Sequence, residues 1–282
     1  MEIFFFFHIL NSETSKNLIT SICLCLTYFL YCISFIFQPI QFYQNKTILG
    51  YKIDFIIMNL FGYFCFFLFK LKGYLNQEIG INESNILDLI LIIYLIVIMI
   101  ITIFIIIHFK NENAFKIYPF VLTIIIILSF GALLLFVLES LLEKYEPKEH
   151  KNFNCFIYLG LCKYVMDLIK YIPQIILNKS RRSTFGWNIQ YIYFELISII
   201  FFYLSIVSEI YNNTFHIFNP PENESKLIFY TEIIIPIIVL IYDIIFIIQN
   251  YLYFDSNEDF LINKNIIISN IPKSNRDSEI FS

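Results

Sequence analysis

Seven apolar runs, at residues 17–39, 53–70, 86–109, 117–142, 153–177, 188–211 and 229–254, alternate along the chain with short polar segments. A helix needs roughly 20 apolar residues to cross a hydrocarbon core, so the pattern predicts seven transmembrane helices. Polar positions inside the runs are few. In the fifth run Lys163, Asp167 and Lys170 recur at i, i+4 and i+7, so a helix aligns them in one stripe, which Gln174 extends by a turn. Ionisable side chains are costly to hold at membrane depth, so such a stripe faces a bundle interior or a water-filled cavity and marks a path for ions or substrate. Pro173 has no backbone N–H and crowds the carbonyl four residues earlier, which loosens the helix beside Gln174. Backbone groups freed there can line a cavity.

The chain repeats itself when Gln38 is laid on Gln174. A glycine follows each glutamine twelve residues later (Gly50, Gly186), preceded by a basic residue and a hydroxyl (Lys46-Thr47, Arg182-Ser183) and followed by an aromatic (Tyr51, Trp187). Two copies in one orientation require an odd number of helices between them. Two triple-helix bundles joined by a single linker helix meet that requirement and form parallel repeats. The predicted division is an N-terminus at 1–16, a first bundle at 17–109, a linker helix at 117–142, a second bundle at 153–254 and a polar tail at 255–282. The copies differ in places: the first reads Phe37-Gln38-Pro39 where the second reads Ile172-Pro173-Gln174, so its proline falls two positions later and its kink is expected to be displaced. Asp54 follows the first glycine by four residues where the second copy has Gln190, and Glu195 follows the second by nine where the first has Asn59.

Composition sharpens this picture. The chain is 58% hydrophobic and 19% aromatic over 282 residues, with mean hydropathy +0.70, which excludes an ordinary soluble domain. A net charge of -4 without a basic patch argues against nucleic acid. The six cysteines lie in or near apolar spans and read as small apolar residues rather than a disulfide framework, and no metal box, nucleophile triad or phosphate-cradling loop occurs. An enzyme, a metal and a cofactor are therefore not expected. The loop with Lys179, Arg181 and Arg182 has no acid, whereas the loops predicted on the other face hold Glu143, Glu146, Glu149, Glu222 and Glu224. By the positive-inside rule the N-terminus is lumenal and the tail cytosolic. The sequons at Asn82, Asn212 and Asn223 then face the lumen, while those at Asn45 and Asn178 stay unmodified. Residues Met1 to Leu10 lack a basic leader and read as a retained, interfacial start. From Glu258 the tail resembles an acidic dileucine sorting signal.

The Pro-Gln pair, the basic hydroxyl-bearing loop and the Gly-Trp after it resemble the signature of the PQ-loop transporters. The run from Lys170 to Gln174, Asn178, the Ser183-Thr184-Phe185-Gly186-Trp187 segment, and Tyr242-Asp243 through Gln249 resemble the cystinosin branch of that family, proton-coupled exporters of cystine from lysosomes. Residues 37–60 resemble the first PQ-loop more loosely. The resemblance implies proton coupling at Asp243 and Glu195, substrate contacts at Lys170, Asp54, Asn178, Gln174 and Gln38, and hinges at Pro173 and Pro39. Protons are the coupling ion, and the partners are L-cystine or a related amino acid and membrane lipid. An acidic organelle, lysosomal or vacuolar, is the expected location. Glu195 stands where that branch has aspartate, and Tyr191 where it has asparagine, which leaves a related amino acid open as cargo.

The residues themselves leave alternatives. Asp243 lies in an apolar run from Ile233 to Ile248, where a lone carboxyl is cheaper to hold protonated than charged. It either carries a coupling proton or is a neutral structural acid. Glu195 couples protons or pairs with Lys163 or Lys170. Lys170 holds a substrate carboxylate or neutralises Asp167. Asp54 lies at a helix start, where the macrodipole alone favours an acid. A basic amino acid or sugar carrier of the same fold, or a non-transporting seven-helix receptor, are the rival functions.

Overall fold

The computed structural model describes residues 18–75, 86–109, 117–145, 155–211 and 226–253. They form eight helices: α1 (Leu18–Asn45), α2 (Asp54–Leu75), α3 (Ile86–His108), α4 (Pro119–Tyr145), α5 (Cys155–Ile169), α6 (Ile172–Arg181), α7 (Ile189–Tyr211) and α8 (Lys226–Leu252). All but α5 and α6 are individually long and apolar enough to cross a bilayer. Those two make up the remaining crossing, interrupted at Lys170 and Tyr171. The seven predicted spans are therefore present in an all-helical, multi-pass membrane protein. The N-terminal segment 1–16, the sequons at Asn82, Asn212 and Asn223, and the tail 255–282 lie outside the described residues.

The interruption follows from Pro173. With no N–H to offer the Ile169 carbonyl, it ends one helix and sits in the first turn of the next, where a missing donor is not needed. The Lys170 N–H still reaches the Met166 carbonyl (2.9 Å), and the Ile175 N–H reaches the Tyr171 carbonyl (3.0 Å), so only two residues are non-helical. Tyr242 of α8 donates its hydroxyl to the Leu168 carbonyl (2.7 Å) and secures the break from outside. The first copy behaves differently, since α1 continues through Pro39 without interruption.

Helix packing reproduces the repeat. In the first half α3 touches both α1 and α2, and in the second α8 touches α5, α6 and α7. The most extensive contacts run between halves, α1 along α7 and α2 along α5, and the repeat operation exchanges these two seams. Small residues at matching positions allow the close approach. Gly62 lies against Lys163 and Met166 of α5, where an added Cβ would meet Lys163 Cδ at 3.0 Å. At the equivalent place Thr27 donates its hydroxyl to the Ser198 carbonyl (3.3 Å). The linker α4 leans on α5 and α2 and leaves most of its apolar surface, including Ile126, Phe130 and Leu133, facing outward as a lipid-exposed helix does.

Candidate substrate and proton site

Two loops close one end of the bundle by gripping each other. Gln38 Nε2 donates to the Gly186 carbonyl (2.9 Å), and its Oε1 accepts from the Asn188 N–H (3.0 Å). Gln174 does the same in reverse, donating to the Gly50 carbonyl (2.8 Å) and accepting from the Lys52 N–H (2.9 Å). Each glutamine thus satisfies two backbone groups of the opposite copy. The glycines meet back to back, both with positive φ (+88° at Gly50, +97° at Gly186). A Cβ on Gly50 would strike the Phe185 carbonyl, and one on Gly186 the Leu49 carbonyl. Lys46 and Arg182, the paired basic residues, both take left-handed conformations (φ 48° and 50°) where their helices end.

Inside this interlock lies an aromatic stack. Trp187 is sandwiched between Tyr51 (5.5 Å between ring centroids, 16° between planes) and Phe246 (4.9 Å, 9°), with Phe55 edge-on at 4.9 Å. All four rings are buried. The end that carries the loops is therefore sealed by rings from both halves.

Deeper in the bundle the charged stripe of the fifth span is buried throughout. Asp167 is ion-paired on both sides, to Lys163 one turn before it and to Lys170 after it (3.1 Å). Lys163 also lies over the Tyr63 ring (4.3 Å), and Lys170 over that of Tyr171 (4.9 Å). Tyr171, at the helix break, donates to Glu195 Oε2 (2.5 Å) and lies 3.3 Å from the Tyr191 hydroxyl. Asp243 is fully buried, and neither of its carboxyl oxygens has a hydrogen-bond partner among the described residues. Glu195 and Lys170 are the charged groups that act on it. The site thus holds three acids and two bases, with one acid unpartnered.

A family model described as the PQ loop repeat matches residues 156–215, from α5 through α7. A cystinosin homologue of Caenorhabditis elegans is 24% identical over 243 residues, covering 82% of this chain and 56% of the relative. Cystinosin of Drosophila melanogaster is 21% identical over 265 residues, covering 88% and 62%. Residues 156–215 thus carry a PQ-loop repeat, and most of the chain is similar to these cystinosins. The chain spans less than two thirds of the length of either of these relatives.

Around this repeat the residues singled out from the sequence fall into three groups. Lys170, Glu195 and Asp243 come together in the buried cluster. Gln38, Gln174 and Asn178 gather at the loops instead, with Asn178 accepting from Gln174 Nε2 (2.8 Å) and donating to Gln249 Oε1 (3.1 Å). Asp54 stands apart from both. Its Oδ1 accepts the Tyr118 N–H (2.8 Å) just before α4, so it ties the first loop to the linker helix. Tyr171, Tyr191 and Gln249 were not singled out as contributors. Tyr171 follows Lys170 directly, and its place beside a prospective helix break was the available signal.

Proposed function

We propose that this protein exports cystine or a related amino acid from an acidic, lysosome-like compartment to the cytosol, driven by protons. The carrying observation is Asp243, a buried carboxyl without a hydrogen-bond partner among the described residues, placed beside the Glu195–Tyr171 pair and Lys170. Such a group is stable in the membrane when protonated and costly when charged. It therefore loads a proton where protons are plentiful and releases one when water reaches it on the neutral side. A zwitterionic cargo fits the same cluster: its carboxylate competes with Asp167 for Lys170, and its ammonium group faces Glu195 or Asp243.

The cycle begins open to the lumen, with Asp243 and Glu195 protonated and the loop end shut. Cargo entry lets one bundle rock against the other about the break at Pro173 and about Pro39, which lies within the continuous α1. The loop interlock then parts, and the acids deprotonate toward the cytosol. This reading places the N-terminus in the lumen and the C-terminus in the cytosol, as the basic loop at Lys179, Arg181 and Arg182 favours.

The test sends the full chain to the plasma membrane of a cell lacking such transport, so that the lumenal face meets the medium, and measures labelled cystine uptake from acidic and neutral medium. Uptake that rises in acid and is competed by cystine supports the proposal. Surface expression without flux of cystine or of any amino acid in a competitor panel would defeat it.

A further inference from the structure

Two of the cysteines that read as inert in the sequence meet across the seam between the halves. The register of that seam is fixed by contacts on either side: Gly62 of α2 lies against Lys163 and Met166 of α5, and Phe69 of α2 lies 3.4 Å from a Cβ built on Gly160. In an antiparallel pair this register sets Cys65 opposite Cys162, close enough for the two thiols to act on each other. Both are buried. The Tyr158 hydroxyl lies beside Cys162 and donates to the Leu128 carbonyl of α4 (3.3 Å), so the thiol pair also adjoins the linker helix. Cys65 lies eleven residues into α2 from the loop end, about 16 Å at helical rise. The pair therefore lies in the part of the bundle away from the interlock.

We propose that Cys65 and Cys162 form a redox latch, a dithiol that small-molecule disulfides oxidise to a covalent bridge between α2 and α5, locking the two halves together midway along α2. The chemistry takes two exchanges. When the seam opens, the thiolate of one cysteine attacks a sulfur of the incoming disulfide, forming a mixed disulfide and releasing one small thiol. When the seam closes, the second cysteine attacks the protein-bound sulfur, forming the Cys65–Cys162 bond and releasing the second small thiol. Two protein thiols are oxidised, one disulfide is reduced to two thiols, and the protons lost by the cysteines are taken up by the departing thiolates. Seam opening rests on the rocking cycle proposed above. A cargo that is itself a disulfide would then be an oxidant delivered to the latch.

The test needs no transport. The full chain, purified in lipid nanodiscs, is treated with 2,2′-dithiodipyridine, and non-reduced peptides are mapped by mass spectrometry. The expected product is a Cys65–Cys162 cross-linked peptide lighter by two hydrogens than its free parts, with no pyridyl group on either residue and loss of the cross-link on adding reductant. The Cys65→Ser variant should instead keep a pyridyl adduct at Cys162. Stable adducts on both cysteines of the unmodified chain, or no reaction at either under conditions that label Cys25, would overturn the latch. A cross-link that forms in a protein with no flux of any cargo would leave the latch standing and the transport reading refuted.

Discussion

Asp167 is the acid of the buried stripe that ion-pairs with both Lys163 and Lys170. Removing one member of a buried pair leaves an uncompensated charge and costs about 3–5 kcal/mol. Asp167→Asn is therefore expected to lower the melting temperature far more than Lys163→Met, which leaves the Asp167–Lys170 pair intact. A thermal-shift series in one detergent checks this, and equal losses in the two variants would contradict it. Asp243 is the opposite case, since no hydrogen bond among the described residues depends on it. Asp243→Asn, which resembles the protonated acid in shape and charge, should leave the melting temperature nearly unchanged while abolishing proton-coupled current. Undiminished current in that variant would remove Asp243 from the coupling role.

Among the elements, the two loops show what the sequence made legible and what it did not. The repeat was readable because glycine, hydroxyl and aromatic keep one spacing after each glutamine, and the left-handed turn at Gly50 and Gly186 gives that spacing its reason. The partner of each glutamine was not readable. Gln174 extends a polar stripe that suggests a cavity and Gln38 is its counterpart in the repeat, yet each reaches the other copy's loop, a contact set by how the halves pack rather than by local periodicity. Likewise the fifth span was legible as one apolar run, while its division between α5 and α6 depends on Pro173 being supported by Tyr242 from a distant helix. Substitutions at the interlock test its weight. Gln38→Leu strands the Gly186 carbonyl and the Asn188 N–H, at about 1–3 kcal/mol for each buried group left unsatisfied. Gly186→Ala adds a backbone collision to a conformation that side chains rarely adopt, and is expected to reduce the folded fraction more severely than Gln38→Leu. Fluorescence-detected size exclusion after graded heating ranks the two, and the reverse order would show that the loop contacts are looser than described.

For the molecule as a whole, the decisive feature is that both halves supply the seal at the loop end: Tyr51 from the first, Trp187 and Phe246 from the second. Rocking of the bundles cannot open that end without unstacking Trp187. The chain contains a single tryptophan, so its emission reports this seal without contribution from any other indole. In the closed arrangement the indole is buried between two rings, and its Nε1 has no hydrogen-bond partner among the described residues. A blue-shifted spectrum poorly quenched by iodide is expected. The double variant Gln38→Leu, Gln174→Leu removes the four hydrogen bonds that the glutamines make across this end, leaving the rings and the Asn188 Nδ2 bond to the Phe37 carbonyl (3.0 Å) in place. It should favour the open arrangement, shifting emission to the red and raising iodide quenching several-fold. The same change should appear in the unmodified protein when cargo is added at acidic pH, because cargo entry is the step that parts the loops in the proposed cycle. If the double variant and the cargo-bound protein both kept the blue-shifted, protected spectrum while transport continued, the loop end would not be the gate, and cargo would have to leave the bundle by another path.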